Sequence, residues 1–320
     1  MVHCLVTGGA GFIGSHLVEA LLKSGYQVRV LDNFITGKRE NLSPMISQIQ
    51  LIEGDLRDFE TVRRVCQGID FVFHVAALPS VPRSIQDPKT SNEINVQGTL
   101  HVLEAARHTQ VKRVVFSSSS SVYGDSPVLP KREDAAPSPL SPYAITKLTG
   151  EYYCQVYHKI YGLETVCLRY FNVFGPKQDP TSQYAAVIPK FISALLTDTP
   201  PLIYGDGEQS RDFTYVDNVV KANLLASTAP KAAGRVFNIA CGKQITITHL
   251  VKTLSALLNK EIPPAYKPPR VGDVRHSLAD ISQARHLLEF SPLVDFEEGL
   301  RRTVAWFVDR IADAGKPKAE

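Results

Sequence analysis

The feature that most constrains this chain is a glycine-rich turn between its first predicted strand and its first predicted helix. Residues 2–7 form an apolar run, and the apolar periodicity of residues 12–23 predicts a helix. Gly8, Gly11 and Gly14 lie at the junction with the spacing G-x-x-G-x-x-G. Glycine permits a tight turn and close approach of the backbone to a pyrophosphate, and free N–H groups at a helix N-terminus favour an anion. The spacing therefore predicts a strand–turn–helix unit that binds a dinucleotide.

An acidic residue at the end of the second predicted strand supports that interpretation. Asp32 ends the run 27–32 and lies 18 residues after Gly14. At this position an acid can accept hydrogen bonds from the ribose 2′ and 3′ hydroxyls, and it would repel a 2′-phosphate. The pattern therefore favours NAD over NADP, with an ordinary strand-end turn residue as the alternative explanation for Asp32.

The order of predicted elements indicates the fold. Strands are predicted at 2–7, 27–32, 49–53, 70–75, 112–118 and 163–168. Helices are predicted between these strands at 12–23 and 92–108. Further helices are predicted after the last of these strands, at 184–197, 215–228, 246–259 and 295–312. Alternating helices and apolar strands predict an α/β fold, a Rossmann-type doubly wound parallel sheet. We predict a cofactor-binding domain at 1–170, to which 212–240 returns, and a smaller α/β substrate lobe at 171–320.

Composition and charge exclude several other classes of protein. The 35 Lys and Arg residues against 32 Asp and Glu residues leave a net charge of +3, which gives no reason to expect a nucleic-acid partner. The five cysteines show no C-x-x-C spacing, so we expect reduced thiols and no metal site. No apolar run approaches the ~20 residues that span a bilayer, and the N-terminus does not resemble a signal peptide. We therefore expect a cytoplasmic protein without a membrane partner.

Two further segments carry side chains suited to moving a proton and a hydride. Residues 117–121, all serine, end the fifth predicted strand, and Tyr143 and Lys147 share one face of a predicted helix. The ammonium of Lys147 and a cationic nicotinamide would both favour tyrosinate, which lowers the pKa of Tyr143 from its usual ~10. Tyr143 could then remove a proton from a sugar hydroxyl as hydride leaves the same carbon. Y-x-x-x-K also occurs by chance, and a serine run can be a polar turn. The interpretation therefore rests on their occurrence together with the glycine turn and on their placement at a strand end and a helix start.

Other polar and small residues fall at the carboxyl ends of predicted strands, where such sheets bind ligands. Asp55 and Leu56 follow the third strand, and Ala76 and Ala77 follow the fourth, where small side chains let the backbone approach a cofactor. His74 lies in the same region, and a packed, hydrogen-bonded histidine explains it better than a ligand-binding one.

Three further segments complete a pattern that extends over nearly the whole chain. These are 95–99 (NVQGT), 169–176 (RYFNVFGP) and 205–213 (GDGEQSRDF). Together with the glycine turn, Asp32, Ser119, Tyr143 and Lys147 they resemble the extended short-chain dehydrogenase/reductase family. The chain is most similar to nucleotide-sugar epimerases, in particular UDP-sugar 4-epimerases, and its serine run and residues 80–84 resemble bacterial UDP-N-acetylglucosamine 4-epimerases. The resemblance implies bound NAD, a UDP-sugar held by the C-terminal lobe, and a homodimer formed through helices near 92–108 and 142–161.

The resemblance also implies roles for individual residues. Catalysis is assigned to Ser119, Tyr143 and Lys147. Cofactor contacts are assigned to Gly8, Gly11, Phe12, Ile13, Gly14, Asp32, Asn33, Asp55, Leu56, Ala76, Ala77, Asn95, Tyr143 and Lys147. Substrate contacts are assigned to Ser120, Asn172, Ala186, Val187, Tyr204, Arg211, Arg270, Asp273 and Ser277. Arg211 and Arg270 would bind the diphosphate, Asp273 the uridine ribose and Tyr204 the uracil.

The serines at 119–121 and the small residue Ser277 indicate the reaction and the substrate. Related dehydratases and decarboxylases carry carboxylates just before V-Y-G, whereas this chain has three serines there, so we expect epimerisation at C4 through a 4-keto sugar. Ser277 stands where glucose-restricted epimerases carry a tyrosine, and Ala186 is also small. This favours UDP-GlcNAc and UDP-GalNAc, with UDP-glucose and UDP-galactose as further substrates. The alternatives are a UDP-glucose 4-epimerase, a UDP-uronate 4-epimerase in which a cation such as Arg83 faces the C6 carboxylate, and a non-catalytic NAD-sensing protein.

Overall fold

The fold is built on short, largely buried strands. A computed structural model of the chain describes residues 1–180, 186–269 and 274–314. The strands are β1 (His3–Thr7), β2 (Gln27–Asp32), β3 (Ile49–Glu53), β4 (Phe71–His74), β5 (Arg113–Ser119), β6 (Glu164–Tyr170), β7 (Val173–Phe174), β8 (Leu202–Tyr204), β9 (Ser210–Arg211), β10 (Thr214–Tyr215), β11 (Arg235–Ile239), β12 (Ile245–Thr246) and β13 (Ala265–Lys267).

The helices connect these strands and form the outer layers. They are α1 (Phe12–Lys23), α2 (Phe59–Cys66), α3 (Val81–Gln86), α4 (Pro88–Asn92), α5 (Gly98–His108), α6 (Pro142–Tyr161), α7 (Val187–Leu196), α8 (Val216–Thr228), α9 (Ile247–Leu258), α10 (Ser282–Leu287) and α11 (Phe296–Ala314). A π-helical turn, Glu93–Gln97, joins α4 to α5. The helical segment therefore starts at Pro88 and not at residue 92 as predicted, because Asp87 caps it by accepting a hydrogen bond from the Thr90 N–H.

The central sheet has seven parallel strands in the order β11-β6-β5-β4-β1-β2-β3. The reversal of strand order at β1 is the doubly wound arrangement, so the predicted Rossmann-type fold is confirmed. All six strands predicted for the first half of the chain are present. The segment predicted to return to the sheet contributes β11, which pairs with β6, and α8, which packs against α1.

Apolar layers cover both faces of the sheet, which explains why its strands are apolar on both sides. On one face α1 and α8 bury Leu17, Leu21 and Val219 against the sheet. On the other face α2, α5 and α6 bury residues such as Val62 and Leu103. A separate apolar core joins α7, α9 and α11 into the C-terminal lobe. The predicted helix at 184–197 begins at Val187, and residues 181–185 lie outside the described residues.

The described residues include no helix long and apolar enough to cross a bilayer. In the same part of the chain, no cluster of His, Cys, Asp or Glu has the geometry to hold a metal ion.

Candidate active site

The glycine turn lies where β1 meets α1, and its geometry excludes larger side chains. Gly8 has φ +72°, and a Cβ there would lie 2.7 Å from the Cα of Ala76. A Cβ at Gly14 would lie 2.1 Å from the carbonyl oxygen of Gly8. The turn therefore packs closely against both α1 and the residues that follow β4. Because these glycines have no side chains, nothing from them covers the N-terminus of α1, where an anion could bind.

A cavity of about 770 Å³ opens beside this turn, at the carboxyl ends of the strands. The predicted cofactor residues that line it are Gly8, Gly11, Phe12, Ile13, Gly14, Asp32, Asn33, Asp55, Leu56, Ala76 and Ala77. Gln178 also lines it, and its Oε1 is a buried acceptor for which the described residues provide no donor. The glycine cradle, the acid at the end of β2 and this spare acceptor fit a dinucleotide rich in phosphate and hydroxyl groups.

Asp32 is held in place by the backbone around it. Its Oδ2 accepts a hydrogen bond from Ala10 N at 2.8 Å and its Oδ1 accepts one from Phe34 N at 2.8 Å. Burial raises the pKa of Asp32, and these backbone hydrogen bonds oppose that rise. The carboxylate is thereby oriented at the cavity wall before any ligand arrives.

The neighbouring acid, Asp55, is part of a charged cluster at the cavity edge. Arg57 donates from Nε and Nη2 at 2.9 and 2.8 Å, and Asn33 Nδ2 donates at 3.0 Å. Hydrogen bonding to Arg57 lowers the pKa of Asp55 to about 2, so Asp55 stays a carboxylate at neutral pH.

Asn95 lies behind the cavity wall, not on it as the family resemblance implied. It is only 3% exposed, its Oδ1 accepts from Leu78 N at 2.7 Å, and its Nδ2 donates to Thr146 Oγ1 at 3.1 Å. Because these contacts occupy its amide, Asn95 ties the loop after β4 to α6. It therefore shapes the cavity from behind.

His74 is the packed, hydrogen-bonded histidine that the sequence favoured. Its Nδ1 lies 2.8 Å from Thr7 Oγ1, and its Nε2 lies 2.9 Å from Thr99 Oγ1. Burial, aided by the charge of Lys147, lowers the pKa of His74 to about 3, so the ring is neutral at physiological pH.

The three predicted catalytic residues meet at the end of β5. Ser141 caps α6 by accepting from Ala144 N at 3.2 Å, which places Tyr143 and Lys147 on the first two turns. The Tyr143 hydroxyl is hydrogen-bonded to the Ser119 side chain. Lys147 Nζ donates to the carbonyl oxygen of Ser117 at 2.7 Å and lies 5.9 Å from the centre of the Tyr143 ring.

Burial governs the electrostatics of this group. Burial raises the pKa of Tyr143 to about 12, and the hydrogen bond to Ser119 only partly opposes it. Burial also lowers the pKa of Lys147 to about 8, against the opposing charge of Glu151. In the chain without cofactor, desolvation of the phenol therefore dominates, and the lowering of the Tyr143 pKa beside Lys147 and a cationic nicotinamide stays a prediction.

A second cavity, of about 420 Å³, adjoins the first and lies in the C-terminal lobe. Val173 and Ala186 line both cavities, so the two are adjacent. The predicted substrate residues that line the second cavity are Asn172, Ala186, Val187, Tyr204 and Arg211.

The remaining predicted substrate residues are placed differently. Ser277 is 8% exposed and lies next to Asn172, whose Nδ2 donates a hydrogen bond to its Oγ at 3.4 Å. Ser120 is half-buried at the start of the 3₁₀ turn that follows β5. Arg270 and Asp273 lie outside the described residues.

Some residues of the cavity walls carried no clear signal in the sequence. Lys190 lines the second cavity from α7, although a lone lysine on an amphipathic helix usually faces solvent. Lys38 and Asp179 both line the first cavity and form an ion pair at 3.0 Å between segments far apart in the chain. Only the fold brings these side chains to the site.

Comparison with known proteins agrees with this geometry. Residues 4–240 match the model of the NAD dependent epimerase/dehydratase family. The UDP-N-acetylglucosamine 4-epimerase from Methanobrevibacter ruminantium, solved in complex with UDP-N-acetylmuramic acid, is 46% identical with a TM-score of 0.93, covering 97% of this chain and 99% of that chain. The UDP-glucose 4-epimerase from Thermotoga maritima, solved with UDP-glucose, is 41% identical with a TM-score of 0.93, covering 97% of this chain and 100% of that chain. A putative UDP-glucose 4-epimerase of Methanocaldococcus jannaschii is 38% identical over 304 residues, which span 94% of this chain and 97% of that protein.

Proposed function

The chain belongs to the NAD dependent epimerase/dehydratase family, and from that premise we propose that it epimerises C4 of a UDP-hexose. Its principal reaction would be the interconversion of UDP-GlcNAc and UDP-GalNAc. The observation that carries the proposal is the meeting of Ser119, Tyr143 and Lys147 at the end of β5, two strands from β1 in the central sheet.

The chain's own residues account for the movement of the proton. Once Tyr143 has lost its own proton to become tyrosinate, its phenolate oxygen takes the proton from the sugar O4, and the Ser119 hydroxyl holds that oxygen in place. NAD held by the glycine turn and Asp32 would supply the acceptor and donor of the C4 hydride, and its positive charge would help Lys147 stabilise tyrosinate. Because burial raises the pKa of Tyr143, the phenol is protonated before substrate and cofactor assemble.

The side chains around β5 favour epimerisation over elimination. Positions 119–121, where related dehydratases carry acids, are serines. Glu151, a nearby carboxylate, is occupied by Arg169 and Ser118 in the layer beneath the site. Elimination of water from the sugar needs a free acid next to the reacting carbons, and none of these positions supplies one.

The second cavity supports a nucleotide sugar as the substrate. Lys190 and Arg211 line it and suit a diphosphate. Ser277 and Ala186, both small, support a pocket with room for a C2 acetamido group. Arg270 and Asp273, implied by the resemblance to bind the diphosphate and the uridine ribose, complete the proposed substrate set.

The test is to incubate the protein separately with UDP-GlcNAc, UDP-glucose and UDP-glucuronate and to quantify the C4 epimers by chromatography. We expect conversion of the N-acetylated sugar. Ser277→Tyr should lower kcat/KM for UDP-GlcNAc at least about five-fold relative to UDP-glucose, since overpacking costs roughly 1–3 kcal/mol. Ser277→Ala, which keeps the space, is the matched control and should retain the wild-type ratio. An unchanged ratio in Ser277→Tyr would show that Ser277 does not control access to the pocket.

A UDP-uronate 4-epimerase is the second candidate, and one observation favours it. Arg83 is half-buried and lines the first cavity beside Ser80, where a guanidinium could pair with a C6 carboxylate. Conversion of UDP-glucuronate, lost in Arg83→Gln, would support this candidate. Conversion of UDP-GlcNAc alone would eliminate it.

We also propose a homodimer that pairs through α5 and α6. Four large apolar side chains, Ile145, Tyr152, Val156 and Ile160, are exposed along α6 at spacings that bring them to one face. Such a stripe is typical of a helix that packs against a partner helix. The buried thiols of Cys4, Cys66 and Cys154, none in a disulfide, support a cytoplasmic location.

A further inference from the structure

Three consecutive serines at the end of β5 contact three successive turns of α6. Ser119 is hydrogen-bonded to Tyr143, and the Ser117 carbonyl accepts from Lys147. The Ser118 hydroxyl donates to Glu151 one turn further along. The first two contacts belong to the catalytic group, whereas the third has no role in the reaction as described.

Glu151 is the centre of a buried charged cluster. It is 1% exposed, and both of its oxygens accept from Arg169 on β6, at 2.9 Å from Nε and 2.7 Å from Nη2. Arg169 is also buried, and its guanidinium lies 4.7 Å from the centre of the Tyr123 ring. Buried ion pairs seldom stabilise a fold more than apolar packing does, so stability alone does not explain this one.

The position of Glu151 relative to Lys147 indicates an electrostatic role for the carboxylate. The two are four residues apart on α6 and therefore share a face, and the carboxylate raises the pKa of Lys147 against the effect of burial. The titratable and charged groups that face this cluster lie on several elements. They are Tyr143 and Cys154 on α6, His74 on β4, Cys167 and Arg169 on β6, and Tyr123 and Glu133 in the segment after β5.

We propose that Glu151, held by Ser118 and Arg169, is a positioning residue for the proton transfer. It sets the position of α6 along β5, so that Tyr143 and Lys147 stand opposite the strand end. It also neutralises Arg169, so that no uncompensated buried cation opposes the ammonium of Lys147. The inference rests on the proposed function, because it assigns Glu151 a task in that reaction.

Two consequences separate this role from a structural one. Loss of the Ser118 contact frees the first turns of α6 to shift along β5, and a displacement of about 1 Å costs on the order of 10²-fold in rate. Glu151→Gln removes the carboxylate that raises the pKa of Lys147, and Arg169 loses its ion-pair partner on α6, so the pKa of Lys147 falls. Since the ammonium is lost above that pKa, the alkaline limb of the pH profile moves to lower pH.

The experiment compares Ser118→Ala, Glu151→Gln and the double variant Glu151→Gln/Arg169→Met with Thr165→Val. Thr165 is the matched control because its hydroxyl is also buried in the sheet and also hydrogen-bonded to α6. It donates to the carbonyl oxygen of Cys154 at 2.7 Å, and Cys154 lies nearly two helical turns beyond Lys147. The readouts are kcat and KM, the pH profile of kcat/KM, the thermal midpoint, and hydrogen–deuterium exchange of residues 142–150.

Ser118→Ala and Glu151→Gln should each lower kcat by about ten-fold to a hundred-fold, the upper value for a displacement of about 1 Å, with KM changed less than about two-fold. Glu151→Gln should shift the alkaline limb down by at least about half a pH unit, and the double variant should recover part of that shift. Thr165→Val should lower the thermal midpoint alone. If Ser118→Ala and Glu151→Gln change only the thermal midpoint, as Thr165→Val does, the proposal is overturned.

The readouts also separate this proposal from the proposed function. If Glu151→Gln does not fold, Ser118→Ala and the double variant decide the outcome through kcat and exchange. If the wild-type protein converts no UDP-sugar, the proposed function fails, and exchange alone tests the positioning of α6. Faster exchange of 142–150 in Ser118→Ala than in Thr165→Val supports the positioning role, and equal exchange overturns it.

Discussion

Replacing Gly14 with alanine tests how the cofactor turn is built. The added Cβ would lie 2.1 Å from the Gly8 carbonyl oxygen and 2.8 Å from the Cα of Gly9. Both neighbours are backbone atoms, so rotation of a side chain cannot relieve the clash. The turn must instead move away from the N-terminus of α1, which separates the groups proposed to hold the pyrophosphate.

The size of the effect follows from the cost of that movement. Overpacking a well-packed site costs about 1–3 kcal/mol, and each 1.4 kcal/mol is about ten-fold in a binding constant. If the strain is relieved by displacing the turn, Gly14→Ala should weaken NAD binding between about five-fold and about a hundred-fold. Titration calorimetry on cofactor-stripped protein measures this directly.

Gly25→Ala is the control for the effect of a glycine substitution itself. Gly25 has φ +78° and, among the described residues, nothing within 4 Å of a Cβ placed there. The Gly25→Ala variant should therefore have a free energy of unfolding lower by about 1–2 kcal/mol through backbone strain, and its affinity for NAD should stay at the wild-type value. A folded Gly14→Ala protein that binds NAD as tightly as the wild type would refute the close-packing argument.

Three further outcomes are expected. Tyr143→Phe should lower kcat on the preferred UDP-sugar by about 10²–10⁴-fold. Its affinity for NAD should change little, because only the hydroxyl is removed. A fully active variant would exclude Tyr143 as the base. Burial lowers the pKa of His74 from 6.5 to about 3, so its contribution to stability is present above pH 6.5 and is lost as the pH falls toward 3. Urea unfolding between about pH 4 and 7 should therefore show a shallower acid loss of stability in His74→Gln, and parallel curves would contradict this. Ile160→Glu should convert the proposed dimer to monomers, because it places a charge in the apolar stripe of α6. Light scattering coupled to size-exclusion chromatography measures the molar mass, and an unchanged mass would count against α6 as the interface.

Local chemistry explains why much of the cofactor site could be predicted. The need for glycine at positions 8 and 14 arises within one turn and its neighbouring helix, so spacing alone reveals it. Asp32 follows from the alternation of strand and helix, because an acid that ends β2 must face the same edge of the sheet. His74 was also predictable as a packed residue, since it ends an apolar strand.

Side-chain environments were harder to predict, because they depend on segments distant in the chain. Asn95 belongs to a recognisable motif, yet the π-helical turn around it aims its amide at Leu78 and Thr146, behind the cavity. The pKa of Tyr143 depends on burial, which the spacing of Tyr143 and Lys147 does not reveal. Lys190 reaches the second cavity only because α7 packs into the C-terminal lobe.

The sequence by itself determined the succession of strands and helices in the first half, the glycine cradle and the pairing of Tyr143 with Lys147 on one helical face. These follow from periodicity and from steric limits within a few residues. The tertiary structure alone decided which residues of the serine run serve the site and that Glu151 joins Arg169 beneath it. The reason is geometric: those contacts require β5, β6 and α6 to pack in one register, and no interaction local to any one segment sets that register.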